Sequence, residues 1–310
     1  MGINAVQTQN NLKNPVVVFG GGGGGKPRFS LDNIAQKMEG FIPPYLFTFM
    51  KDAYFSRIKL KPLKRLRFTV HLTDHCNLNC RGCDNFSPIA AERNVDVSVF
   101  ERDFARIQEL TNENIDDVQL LGGEPLLHPQ INLLLKTARK YIRRETPVRL
   151  VSNGILLTRM TDEFWNCCVD NNIKISVTKY PTNIDHDTIE NLTKKFKVEF
   201  SYHGDSGENL KKMFCDPLES EGKQNIKTNF IRCHRSNNCI ELNNGKLYTC
   251  ATIPNVKYFN RFFNKNLKVT EDDYIDIYKA KDINEILNFL CKPPPFCRYC
   301  DIDHRRKGIK

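Results

Sequence analysis

The chain has 310 residues, a formal charge of +10, 40% hydrophobic and 26% charged residues, which is room for one large α/β domain and a smaller module. The composition is that of an ordinary soluble protein, and no apolar stretch reaches the length of a membrane span. Twelve cysteines behind an N-terminus, MGINAVQTQNN, with no secretory pattern argue for reduced, metal-bound thiols and a cytoplasmic location rather than for disulfides.

Residues 1–66 read as an N-terminal extension. Val16, Val17, Val18 and Phe19 form a short strand candidate. The glycine run 20–25 with Lys26 imitates a P-loop, but Pro27 stands where Ser or Thr would hold magnesium. Six consecutive glycines cost much backbone entropy to order, so the segment is expected to be flexible. An aromatic stretch follows (Phe41, Tyr45, Phe47, Phe49, Tyr54, Phe55), then a basic one (Arg57, Lys59, Lys61, Lys64, Arg65, Arg67). The expected arrangement is a helix packed over one end of the core with a solvated basic side. Membrane association is not expected.

From residue 67 to about 205, short apolar runs alternate with helical patterns. Strands are expected at 67–72, 117–121, 148–152, 173–178 and 197–201. Phe100, Phe104, Ile107 and Leu110 recur at helical spacing, as do Ile131, Leu134, Leu135, Ala138 and Ile142. Thr161 is placed to cap a helix carrying Phe164, Trp165 and Cys168. Strand–helix alternation means parallel strands joined by right-handed crossovers. About six units fit, too few for a closed eight-fold barrel, so an α/β partial (β/α)6 barrel is expected over residues 67–230.

The polar motifs fall after successive strands. Cys76, Cys80 and Cys83, at C-x₃-C-x₂-C, follow the first; Gly122, Gly123, Glu124 and Pro125 follow the second; Ser152, Asn153 and Gly154 follow the third. Parallel barrels place their chemistry on that carboxyl-end face. Three thiols are one too few for a structural zinc but suit an iron–sulfur cube with one iron left open. Glycines leave room for a ligand against bare backbone, and carbonyls there accept from an ammonium group.

These residues resemble the radical S-adenosylmethionine (SAM) enzymes, with Gly82 where many members carry an aromatic residue before the third cysteine. The resemblance implies the partial-barrel fold and a 4Fe-4S cluster on Cys76, Cys80 and Cys83. It further implies SAM at the open iron, with its methionine amine held by residues 122–125. Ser152, Asn153 and Ser176 are candidates for the ribose or carboxylate of SAM. His128 reads as structural.

The last 80 residues change character. Cys233, Cys239 and Cys250 flank a strand–turn–strand with Asn244 and Gly245 at the bend, and a helix at about 283–290 precedes Cys297 and Cys300. Residues 231–310 resemble the SPASM and twitch domains appended to many radical SAM enzymes, which implies an auxiliary 4Fe-4S cluster. Family spacing selects Cys233, Cys250, Cys297 and Cys300. Hairpin register argues for Cys239, because a two-residue turn pairs Asn243 with Lys246 and carries Cys239 opposite Cys250. A zinc ribbon uses similar geometry. Cys167, Cys168, Cys215 and Cys291 read as small core residues.

The resemblance implies reductive cleavage of SAM to a 5′-deoxyadenosyl radical that abstracts hydrogen from a substrate C–H bond. It also implies an external electron donor such as flavodoxin or ferredoxin. The charge favours a sugar, nucleotide-sugar or other small acidic metabolite as substrate; a ribosomally made peptide and a non-catalytic iron–sulfur or zinc scaffold are the alternatives. No nucleic-acid partner is expected.

Overall fold

The computed structural model describes residues 43–180, 182–202, 214–215, 217–304 and 306–307. The strand candidate at 16–19 and the glycine run at 20–25 lie outside them. Helix α1 (Pro44–Lys59) leads into strand β1 (Leu66–Thr73), seven of whose eight residues are buried. Helix α2 (Val97–Thr111) starts where the Asp96 side chain accepts from the Ser98 and Val99 amides, and stops where Asn112 turns left-handed. Then come β2 (Ile115–Gly122), α3 (Ile131–Tyr141), β3 (Val148–Ser152), α4 (Asp162–Asp170) and β4 (Ile173–Val177). Thr161 is the N-cap of α4, although its hydroxyl makes no capping bond. Helix α5 (His186–Phe196) ends at Lys197 with φ 60°. That left-handed residue cannot begin a strand, so β5 is Phe200–Tyr202 rather than the expected 197–201.

The later elements are β6 (Phe214–Cys215), α6 (Ile226–Arg232), β7 (Glu241–Asn243), β8 (Lys246–Tyr248), α7 (Thr252–Phe263), β9 (Tyr274–Asp276), α8 (Ile283–Leu290) and β10 (Arg306–Lys307). Near the C-terminal end β10 pairs antiparallel with β6. Asn244 and Gly245 both take positive φ, and Asn243 pairs with Lys246 as a two-residue turn requires.

One open sheet runs β5-β4-β3-β2-β1-β7-β8-β9. Its first six strands are parallel, and β8 and β9 are antiparallel. The sixth parallel strand is therefore the first arm of the hairpin, and it lies beside β1 rather than beside β5. The sheet crosses the expected 230/231 boundary without a break, and it belongs to a single unit that starts at Phe49.

The two faces of the sheet differ. Phe68, Val70 and Leu72 point to the helices, where Phe68 meets Phe104 at 5.9 Å and Phe100 stacks on Phe104 at 4.2 Å. By strand alternation the other face carries Thr69 and His71 of β1, Gln119 of β2, Arg149 of β3, Ser176 of β4 and Glu241 of β7.

Helix α7 covers part of that polar face. Its Asn255 donates to Glu241, as does Asn243, and its Tyr258 hydroxyl donates to Asp74, which also accepts from Arg93. His71 lies 3.5 Å from Glu241 and 4.0 Å from Asp74. Burial drives His71 down to about 4 despite Asp74, so it is neutral. Burial also pushes Glu241 up to about 8, against its bond from Asn243.

A carboxyl whose pKa rises on folding stabilises the fold below its unfolded value and loses that contribution as pH climbs through the folded one. Stability should fall between about pH 4.5 and pH 8. Glu241→Gln keeps an acceptor for both asparagines and should flatten most of this slope, as read from urea midpoints at the two ends of the window.

Candidate active site at the carboxyl ends of the strands

The loop from β1 carries the three thiols, and its start is fixed by backbone. The Gly123 amide donates to the Thr73 carbonyl at 2.9 Å and the Glu124 amide to the His75 carbonyl at 3.0 Å. A Cβ on Gly122 would lie 2.2 Å from Thr73 O, and one on Gly123 1.9 Å from His75 O. The glycines thus admit the backbone of the cysteine loop itself, a different reason from the room for a ligand expected above. Gly82 has φ +73°, which explains glycine before the third cysteine.

Glu124 is fully buried, and its carboxyl is committed within the protein. Oε1 accepts from Ser152 Oγ at 2.7 Å and the Leu126 amide at 3.2 Å, and Oε2 from the Asn153 amide at 2.8 Å. Burial holds it up at about 7 against those three bonds. One side chain from the end of β2 therefore ties down the end of β3.

The three SAM candidates at strand ends separate. Asn153 is brought to the thiols: its Nδ2 donates to Asn77 Oδ1 at 2.7 Å and reaches Cys76 Sγ at 3.7 Å. Ser152 is turned to Glu124 and accepts from the Gly154 amide. Ser176 pairs with Ser201 at 2.8 Å on the polar face. His128 is structural, with Nε2 3.0 Å from the Val95 carbonyl.

Cys76, Cys80 and Cys83 lie near enough to influence one another. Burial pushes Cys76 up to about 11, and the Glu124, Cys83 and Cys80 charges add to it. A second thiol group surrounds the hairpin. Cys233 caps α6, and the Asn229 side chain of that helix donates to the carbonyls of Cys297 and Cys300. Cys239 and Cys250 form an isolated bridge beside the hairpin. Burial raises Cys297 well above the usual thiol range, and Cys300, Cys233 and Cys250 raise it further. Burial pushes Cys239 up to about 12, with Cys250 its foremost charged neighbour.

Among the described residues no three Cys, His, Asp or Glu side chains are yet drawn round one point as metal ligands. The donor chemistry nonetheless fits: three thiols on one loop leave an iron open, and four more are within electrostatic reach of each other. Of the other cysteines, Cys167, Cys168 and Cys291 are buried as expected.

The sequence pattern missed two features. One is the buried network around His71 and Glu241; its signal was His71 on the same strand face as Thr69. The other is Arg235, buried between the thiol groups, which donates to Asp84 of the core-cysteine loop at 2.6 Å and to Thr252 at 3.1 Å.

Comparison with known proteins bears on this geometry. A family model described as the radical SAM superfamily matches residues 70–211. A GTP 3',8-cyclase of Aliarcobacter butzleri is 30% identical over 91 residues, 29% of this chain and 28% of that protein. A probable GTP 3',8-cyclase of Pyrococcus abyssi is 29% identical over 138 residues, 44% and 39% of the two chains. The chain thus spans well under half the length of these relatives. Among solved structures, BtrN in complex with AdoMet and 2-DOIA aligns at a TM-score of 0.49 and 15% identity, over 78% of this chain and 94% of that one. Streptococcus suis SuiB bound to its precursor peptide SuiA aligns at 0.37 and 13%, over 84% and 77%.

The close approach at Gly123 yields a prediction. Gly123→Ala should force the loop from β1 away from β2, cost about 2–3 kcal/mol in a urea titration, and lower the iron bound at Cys76, Cys80 and Cys83.

Proposed function

We propose that this chain, whose residues 70–211 match the radical SAM superfamily, uses a 4Fe-4S cluster and SAM to work on a small acidic metabolite such as a sugar or nucleotide-sugar. The observation that carries the site is the clamp of residues 122–125 on the loop of Cys76, Cys80 and Cys83. With the cluster and SAM bound, reductive cleavage supplies methionine and a 5′-deoxyadenosyl radical for hydrogen abstraction.

The residues of this chain position and exclude. A backbone carbonyl of residues 122–125 would accept from the methionine ammonium, those of Gly122, Glu124 and Pro125 already accepting from Asn85, Thr73 and His128. The Glu124 carboxyl, buried behind, keeps the segment rigid. Asn153, whose Nδ2 donates to Asn77 beside Cys76, would donate its second amide hydrogen to a carboxylate or ribose oxygen of SAM. Ser152 contributes by holding Glu124, and Ser176 by lining the polar face. Arg149 pairs with Asp117 and Lys174 with Glu199 on that face, so the support for an acidic substrate is the net charge of +10. Cys233, Cys250, Cys297 and Cys300 would hold an auxiliary cluster, with Cys239 as the alternative to Cys233.

Anaerobically reconstituted protein with a strong reductant should cleave SAM to methionine and 5′-deoxyadenosine without substrate. The triple variant Cys76→Ala/Cys80→Ala/Cys83→Ala should not, since a methyl group cannot replace a thiolate ligand. Wild-type rates from that variant would refute the assignment. Metabolite comparison of a deletion strain should reveal a phosphorylated or carboxylated compound accumulating, and a modified peptide instead would reverse the substrate reading.

The triple variant also isolates the second thiol group. Adding Cys233→Ala should remove most of its remaining iron, and adding Cys239→Ala should leave most of it. The opposite pattern moves the ligand to Cys239, and zinc in place of iron overturns the auxiliary cluster.

A further inference from the structure

Helix α1 does not bury its aromatic side. Asp52, Phe55, Ser56 and Lys59, spaced at i, i+3, i+4 and i+7, form its inward stripe. Asp52 accepts from Arg232 Nε at 2.8 Å and Nη2 at 2.5 Å, and the Lys59 ammonium donates to Ser236 Oγ at 2.7 Å and the Cys233 carbonyl. Those bonds fix the rotation of the helix. On the other side Met50 is 50% exposed, Tyr54 44% and Ile58 51%; Phe49, 69% exposed, lies in line with Asp52 and Ser56, one turn nearer the helix start. Six of the twelve large apolar side chains exposed among the described residues lie on this one helix, and Met50, Tyr54 and Ile58 share its outward face, a patch that marks a binding surface.

The charge around it is one-sided. Between residues 43 and 67 there are seven cations and a single carboxylate, Asp52, which Arg232 already engages. Lys51, Arg57, Lys61 and Lys64 are exposed. A second copy of the chain on this face would set these cations against their own equivalents, which opposes a two-fold interface. Protein partners seldom bury lysines at the centre of an interface. Aromatic and aliphatic side chains with lysine and arginine among them are instead what an anionic lipid surface binds: rings enter the headgroup layer while cations meet phosphates and carboxylates.

We propose that the outward face of α1 binds the anionic surface of a membrane, with Met50, Tyr54 and Ile58 inserted at the headgroup level and Lys51, Arg57, Lys61 and Lys64 above it. The helix lies on the surface: no described helix is long and apolar enough to cross a membrane. The inward stripe, ending beside Cys233, would then hold the enzyme against that surface by its second thiol group.

The test is flotation of the full-length protein with vesicles of phosphatidylcholine alone and of phosphatidylcholine mixed with phosphatidylserine. Binding to the mixture should exceed binding to phosphatidylcholine by about tenfold and collapse at high salt. Met50→Ser/Tyr54→Ser should lose most of that binding with unchanged urea midpoint and SAM cleavage. Arg57→Glu/Lys61→Glu should do the same. No binding by the full chain, or equal binding to both vesicles, overturns the proposal. So does a concentration-dependent dimer that Met50→Ser/Tyr54→Ser abolishes, which assigns the face to a second copy.

Discussion

The site depends on one close approach, the backbone of Gly122 and Gly123 against the backbone of residues 73–75. Any side chain at Gly123 would occupy the space of the His75 carbonyl, so the loop bearing the thiols and the end of β2 can be this near only through glycine. Glu124 then extends the constraint to β3. A buried carboxyl without partners would be costly; three donors from residues 126, 152 and 153 offset that cost and hold it in one geometry. Three strand ends are thereby fixed together before any cofactor arrives.

The sheet also explains how two distant sets of thiols share one frame. Strand β7 pairs with β1, the strand that leads to Cys76, while Cys239 precedes β7 and Cys250 follows β8. Asp103 of α2 secures the far end of the hairpin by accepting from the Gly245 amide and the Tyr278 hydroxyl. Arg235 adds a direct tie between the two groups through Asp84. An arginine with so little exposure is retained only with a carboxylate to meet it. Motion of one thiol group is therefore opposed by bonds that reach the other.

Helix α1 illustrates how placement overrides pattern. Its aromatic content resembles that of a core helix, yet a single ion pair, Asp52 with Arg232, and the Lys59 contacts choose the polar stripe as the inward side. Met50, Tyr54 and Ile58 consequently face outward while Phe55 stays on the inner side, since rotating the helix to bury the former would strand a carboxylate and an ammonium.

Local interactions in the sequence determined a good deal. Strand–helix alternation set the parallel sheet, C-x₃-C-x₂-C the core thiols, and Asn244-Gly245 the two-residue hairpin turn, whereas the bridge of Cys239 to Cys250 is parallel and not a continuation of that antiparallel register. Period, propensity and turn geometry are written in neighbouring residues. Contacts between distant parts of the chain decided the rest. Nothing near residue 241 states that it will lie beside β1, that Glu124 will face Ser152 rather than a ligand, or that His71, Asp74 and Glu241 will meet beneath Tyr258. Those outcomes arise from burial and pairing across tens to hundreds of residues, where the free energy belongs to the packed molecule and to no single segment.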